Sequence, residues 1–441
     1  HLFNNRLFVN TTLTYSFYEF AFSNLESFLE VEEEDGALEE ELEELYFIDN
    51  RSENQDIGLR IDIDYVPAPK HTIRMGLEAS VKSFSPVLTF LDSDSEEIID
   101  RLDEDLAIDD LDDYAISTTS EVAELDVYIE DQIDLNANWQ LDLGLRASSF
   151  LNAGTEKSYF NLEPRILLNH TLSTKLQVHA SANRLVQYLH LVSNSALKLP
   201  NDLWIPASAD MLPQQSWQFE LGAAIHISSA LHFNVDAYYL NIQNLYRYPD
   251  DFSFLDIVND SRPEDFLLRG DGQNYGIETL LKYDGDNRGF MLSYTLSKAE
   301  RQYDSLNLGM PFPYDLDHRH RLKLFFFQKL GEHFQIGLNW IYSSATPRLN
   351  LVDTQLGQGF IRTDLNPSGR KNELRASPYY RFDLNVSYHR IGKKLEHRLV
   401  LGTYNTFDRR NIAYYQVNAN STTHPVGFMP IVPSISYTLN Y

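Results

Sequence analysis

Asp315, Asp317, His318 and His320 fall close together where a polar stretch gives way to an alternating one, and carboxylate oxygen with imidazole nitrogen is a donor set for Zn²⁺ or iron. On an extended chain, successive side chains point to opposite faces. Asp317 and Arg319 then share one side, and His318 and His320 the other. Without a bulge the four metal donors cannot converge. The expected arrangement is therefore a charge cluster, Asp315, Asp317, His318, Arg319 and His320, pairing across neighbouring strands rather than holding a metal.

A second set is aromatic. Tyr188, His190, Trp204 and Trp217 lie within the stretch from Gln187 to Trp217 and combine flat apolar surfaces with polar edges, the chemistry that binds sugars, siderophores or macrocycles. The competing reading is an interfacial aromatic girdle or a loop packing on itself. Tyr246, Arg247 and Tyr248 form a weaker candidate, as does the stretch holding Arg348 and Arg362, whose guanidinium groups suit carboxylate or phosphate. Gly270-Asp-Gly272 with Tyr275-Gly276 invites a phosphate-loop reading, but the following residues alternate as a strand, and a loop-to-strand entry with tight backbone geometry is expected instead. No Gly-x-Ser-x-Gly elbow, His-Glu-x-x-His helix or cysteine nucleophile is present, so no catalytic residues and no cofactor are expected.

Composition narrows the class. The 441 residues carry 64 acidic against 36 Lys and Arg, a formal charge of −28, which disfavours nucleic acid as a partner. Much of the acid lies in Glu26 to Glu44 and Asp92 to Asp113, expected as solvated loops or short helices, with attraction of cationic ligands or divalent ions as the sharper alternative. There is no Cys, hence no disulfide and no thiolate metal site, and no apolar run long enough for a membrane helix. Tyr and Phe each number 26 while the mean hydropathy is −0.35. Such a balance is compatible with a membrane barrel, in which only every second residue faces lipid.

The elements that must position these residues are strands. Ile57, Leu59, Ile61, Ile63 and Tyr65 oppose Gly58, Arg60, Asp62 and Asp64, while Tyr380, Phe382, Leu384, Val386 and Tyr388 oppose Arg381, Asp383, Asn385 and Ser387. Alternation of this kind gives about sixteen strands, most of about ten residues or more, as tilted membrane strands require. Tight turns are expected near Pro67–Lys70, Asn136–Asn138, Leu172–Thr174, Ser228–Ala230, Asp284–Asn287, Gly331–His333 and Ile391–Lys394. Long excursions separate them, near residues 21–53, 88–118, 187–215, 247–271, 302–315, 347–377 and 409–430. One short exception falls near Asn152–Lys157. Short turns at one end and long loops at the other are the habit of outer-membrane barrels, which places both chain ends in the periplasm.

Several stretches resemble the barrel of TonB-dependent outer-membrane receptors, particularly the type common in Bacteroidetes. They are Leu162-Glu-Pro-Arg165; Gln187-Tyr-Leu-His190 with Leu199–Trp204 and Leu212–Trp217; Tyr275–Glu278 with Ser293–Lys298; Tyr314–His320; Tyr379–Leu384; Tyr404–Asn411; and the closing strand Ser434–Tyr441. The resemblance implies a transmembrane antiparallel barrel of about 22 strands closed by a plug domain. On that reading residues 1–441 are its C-terminal portion, and the plug, the segment gripped by the inner-membrane TonB complex and about six strands are missing. It implies active import across the outer membrane of a Gram-negative cell. Lipid, the TonB complex acting through the plug, the barrel assembly machinery and a surface lipoprotein are the partners it suggests. Tyr437, Leu439 and Tyr441 would be the assembly signal. The leading alternative is a passive channel of sixteen strands complete in itself, an allowed even number. An outer-membrane hydrolase is a third reading, for which no serine, histidine and acid set is found.

Overall fold

The computed structural model describes residues 2–34, 37–93, 115–117, 119–192, 203–249, 263–347, 351–353, 371–372, 375–392, 394–417 and 423–441. Its main sheet has nineteen strands, three of which, Leu2–Asn4, Ala115–Ser117 and Phe312–Pro313, are stubs of two or three residues. The remaining sixteen form a meander in which each long strand pairs antiparallel with its neighbours in sequence. Two short 3-10 turns, Pro263–Phe266 and Asn307–Gly309, are the helical elements among the described residues.

All seven expected tight turns join strands of this meander. Ala68 is followed by His71, Asp134 by Trp139, Ser173 by Leu176, His226 by Leu231, Asp284 by Arg288, Leu330 by Phe334 and Ile391 by Glu396. The short connection at the other end, between Asn152 and Lys157, is also present.

Period-two alternation sorts the two faces. On Ser120–Asp134, Leu125, Val127 and Ile129 are exposed while Asp126 between them is buried. On Gln214–His226 the exposed residues are Trp217, Phe219 and Leu221. An apolar row in the open beside a buried charge reverses the pattern of a water-soluble sheet, and it is what hydrocarbon outside and polar groups inside demand.

The first hairpin departs from expectation. Leu7–Glu34 pairs with Ala37–Ala68 continuously from Leu7↔Tyr65 to Glu34↔Ala37, with one register shift after Phe28. Residues 21–34 and 37–53 are therefore not an irregular excursion, and the backbone of Glu26–Glu34 and Ala37–Glu44 is strand rather than loop or short helix. The physical reason is that a ladder is held by backbone N–H and C=O groups, so it extends beyond the membrane without apolar alternation. At about 3.3 Å per residue the 28-residue strand reaches about 90 Å, between two and three times what a crossing needs. The acidic stretch Asp92–Asp113 lies almost wholly outside the described residues, as do Arg348 and Arg362.

At the margins of the sheet, Leu7–Glu34 registers with Leu2–Asn4 and Ala37–Ala68, and Val432–Asn440 with Glu396–Tyr404. Among the described residues these two outermost long strands do not pair with each other.

Candidate functional site

Two buried clusters stand at the long-connection end of the sheet. In the first, Tyr188 leaves the strand Leu176–Gln187 and stacks on Phe150, ring centroids 4.8 Å apart and planes 7° from parallel, beside Phe84, Val122 and Ala207. Its hydroxyl is hydrogen-bonded to Ser148 Oγ at 2.7 Å and accepts from Asn161 Nδ2 at 3.0 Å. Ser148 in turn donates to Glu163 at 2.9 Å, whose other oxygen accepts from the Val186 N–H at 3.1 Å. Asn152 Nδ2 donates to the Ala207 carbonyl at 3.1 Å, tying the segment after Pro206 to the strand end.

The second cluster is built on a separate two-stranded hairpin, Leu189–Val192 with Leu203–Pro206. Val192, Met211 and Tyr248 are buried there, with Ile205, Tyr246, Phe266 and Leu267 packed around them. His190 meets Tyr246 edge-on at 4.9 Å, and the Tyr246 hydroxyl accepts from the Leu212 N–H at 2.7 Å. Burial lowers the His190 pKa to about 4, with a hydrogen bond to the Leu212 backbone opposing it, and its Nε2 has no hydrogen-bond partner among the described residues. Burial likewise pushes the Tyr248 hydroxyl up, reinforced by the nearby Glu264. Arg247 donates to the Tyr248 carbonyl at 3.2 Å and lies over the Tyr303 ring.

The structure thus does not gather Tyr188, His190, Trp204, Trp217, Tyr246, Arg247 and Tyr248 into one platform. Tyr188 belongs to one cluster, and His190, Tyr246 and Tyr248 to the other. Trp204 stands on the hairpin with its ring partly open, and Trp217 joins Phe219 and Leu221 on the apolar face, where a girdle residue belongs.

Asp315 to Arg319 sit in a turn and bend before the strand His320–Leu330, and only His320 is on the extended strand that the alternation argument assumed. Each member has its own partner. Asp317 is buried and accepts from Arg375 Nη2 at 2.7 Å and from the Ala299 N–H at 2.9 Å, with Arg319 at 3.8 Å. Asp315 accepts from Asn372 Nδ2 at 2.7 Å, His318 Nδ1 meets the Ser344 carbonyl at 2.7 Å, and His320 Nδ1 meets the Tyr294 hydroxyl at 2.9 Å. Charge pairing is present, but Arg375, far along the chain, is its principal cation. Gly270 and Gly272 lie inside the strand Leu268–Asp284, with no helix following; a Cβ on Gly270 would lie 2.3 Å from the Gln302 carbonyl oxygen. Close strand approach, not phosphate, explains the glycine there.

Further polar residues line the same face and form a ladder, of which alternation alone had marked Arg60 and Asp62. Asp62 accepts from Arg60 at 2.9 Å and from the Tyr128 hydroxyl, Asp126 accepts from Arg146, and Glu130 lies 3.6 Å from Arg165. All but Asp62 border a groove of about 420 Å³. Arg60 and Asp62 are neighbours on one face of the same strand, whereas the other pairs join adjacent or next-adjacent strands, so only the register reveals those. The closing strand is exposed along its whole length, with apolar Ile435, Tyr437, Leu439 and Tyr441 at every second position, and the Tyr437 hydroxyl reaches His397 Nδ1 at 2.7 Å.

An antiparallel meander with an apolar outer face and a charge-lined inner face defines a membrane-spanning β-barrel protein. Residues 1–406 match the family described as TonB dependent receptor-like, beta-barrel, and the chain belongs to that family. The ferric-catecholate import receptor Fiu from K12 E. coli superposes with a TM-score of 0.61 at 13 % identity, over 99 % of this chain and 62 % of that one. The siderophore receptor PiuA from Acinetobacter baumannii gives a TM-score of 0.61 at 14 % identity, over 100 % and 63 %. A complex of FpvAI with pyocin S2 gives 0.58 at 14 %, over 98 % and 52 %. The chain thus spans between half and two thirds of the length of these structures. No curated protein matches it.

Proposed function

We propose that this chain is the barrel part of an outer-membrane receptor of Bacteroidetes type. It captures a scarce, large ligand at its long-connection end and imports it with energy from an inner-membrane TonB complex. The observation that carries this reading is the family match over residues 1–406 joined to a sheet whose outermost strands do not pair with each other. A passive channel of sixteen strands needs Leu7–Glu34 and Val432–Asn440 to close on one another, because each unsatisfied backbone group in hydrocarbon costs several kcal/mol. Further strands of the receptor would join these edges, and a plug would fill the lumen.

On this reading the long connections are extracellular, the tight turns and both ends of the barrel segment are periplasmic, and a surface lipoprotein can cap the mouth. Trp204, Tyr246 and Arg247 are the retained ligand-facing candidates of the aromatic set. Lipid contacts the apolar rows, and the barrel assembly machinery reads Tyr437, Leu439 and Tyr441. The ligand class supported by the relatives is a metal-siderophore complex or another compact chelate.

Uptake of labelled ferric siderophores by cells expressing the full-length receptor tests the proposal. Import is expected to stop when the proton gradient is collapsed or the TonB partner is deleted. Gradient-independent flux of small solutes at the same rate would identify the passive channel instead.

A further inference from the structure

On the polar face, near the tight-turn end, three side chains from three adjacent strands meet. His179 lies on Leu176–Gln187, Glu220 on Gln214–His226 and Asp236 on Leu231–Arg247. His179 Nε2 is 3.1 Å from Glu220 Oε1 and 3.4 Å from Asp236 Oδ1, and the donor atoms of all three lie within 4.8 Å of one another.

The register explains how they converge. His179 pairs with Gly222, and Gly222 with Asp236, so the three form one rung across the sheet. The central position of the rung has no side chain. A Cβ on Gly222 would lie 2.0 Å from Asp236 Oδ1 and 2.3 Å from His179 Cε1. Glycine in a strand interior weakens the strand and commonly marks close approach. Here the missing methyl is the space in which the outer two side chains meet, while Glu220, two residues away on the same face, closes the third side.

We propose that His179, Glu220 and Asp236 form a binding site for a divalent transition-metal ion, such as Zn²⁺, on the inner wall of the barrel. Donors about 2.1 Å from a common ion stand about 3.0–3.4 Å apart at tetrahedral to octahedral angles, which the two measured separations match. One imidazole nitrogen with two carboxylate oxygens suits a borderline ion and offsets its charge. All three residues are half-buried, and a groove of about 510 Å³ lined by Glu220, Asp236, Tyr238 and Glu278 opens beside them, so an ion has a path in and open positions for water. Bound there, it would clamp three strands at one point of the wall.

The test is Zn²⁺ titration by calorimetry of the metal-stripped, full-length receptor in detergent, with the visible spectrum of added Co²⁺ reporting ligand number. One ion per receptor is expected in excess of the count for the triple variant His179→Ala, Glu220→Gln, Asp236→Asn. Asp236→Asn and Gly222→Ala singly should each weaken binding at least tenfold. Heat-modifiable gel migration checks that each variant is folded; should those changes misfold, Glu220→Gln, which preserves shape, decides. No binding by the wild type, or binding that the folded variants retain, overturns the proposal and leaves an ordinary imidazole-carboxylate contact.

Discussion

Replacing Arg375 by alanine is expected to loosen the mouth more than replacing Asp317, although both changes break the same ion pair. Only 1 % of the Asp317 side chain is exposed against 31 % for Arg375. Arg375→Ala strands a buried carboxylate whose remaining partners are the Ala299 N–H at 2.9 Å and Arg319 at 3.8 Å. Removing one member of a buried pair costs about 3–5 kcal/mol, and the residual Arg319 contact points to the lower end. Asp317→Ala leaves a guanidinium that can rehydrate and still donates to the Ala345 carbonyl at 2.9 Å, so its cost is the lost hydrogen bonds, about 2 kcal/mol. At about 1.4 kcal/mol per decade, the opening equilibrium of the turn rises about 150-fold for Arg375→Ala and about 30-fold for Asp317→Ala. Hydrogen exchange followed by mass spectrometry, on peptides spanning residues 297–301 and 312–320, reads these values directly. The double variant Arg375→Ala, Asp317→Asn should exchange more slowly than Arg375→Ala alone. Equal acceleration by the two single variants, or less than fivefold for Arg375→Ala, would refute the assignment of the charge imbalance to Asp317.

Tyr188→Phe keeps the stack on Phe150 but removes bonds to Ser148 and Asn161, and should destabilise the segment 203–208 by about 1–2 kcal/mol in the same exchange assay; Tyr188→Ala should lose about 3–5 kcal/mol. The His190 pKa, about 4 in the folded hairpin against the usual 6.5, means that the opened hairpin binds the proton first. Stability is therefore full above about pH 6.5 and falls by up to about 3 kcal/mol on acidification to pH 4, a slope that His190→Leu should flatten. Ile435→Lys places a charge on the apolar face of the closing strand, costing about 2–4 kcal/mol near the membrane midplane, and should lower the heat-modifiable, assembled fraction in the outer membrane. Deleting Leu439–Tyr441 from the full-length protein should abolish assembly, and normal surface levels would contradict the assembly role.

Strand rhythm and turns were legible because they depend on local rules. Asp284-Gly-Asp-Asn287 and Gly331-Glu-His333 break alternation with residues that suit tight turns, and the meander follows. The first hairpin was not legible past Phe20, because consecutive acids such as Glu32-Glu-Glu-Asp35 erase the period-two signal while leaving the backbone ladder free to continue. The division of the aromatic set between two clusters was not legible for a different reason. Tyr188 and Tyr248 have the composition of a ligand platform, but their burial depends on Phe150 and Met211, far away in sequence. The rung of His179, Gly222 and Asp236 was not legible in the sequence, because only register places the three side by side.

The buried clusters around Phe150 and Met211 bear on how tightly anything can be held at this mouth. A loop that must be ordered by its ligand spends part of the interaction on conformational entropy, at about 0.5–1.5 kcal/mol for each immobilised side chain. Here Tyr188, His190, Tyr246 and Tyr248 are already fixed by stacking and hydrogen bonds to the strand ends. These buried side chains stiffen the wall behind the exposed rim, so little contact energy at this end is spent on ordering them.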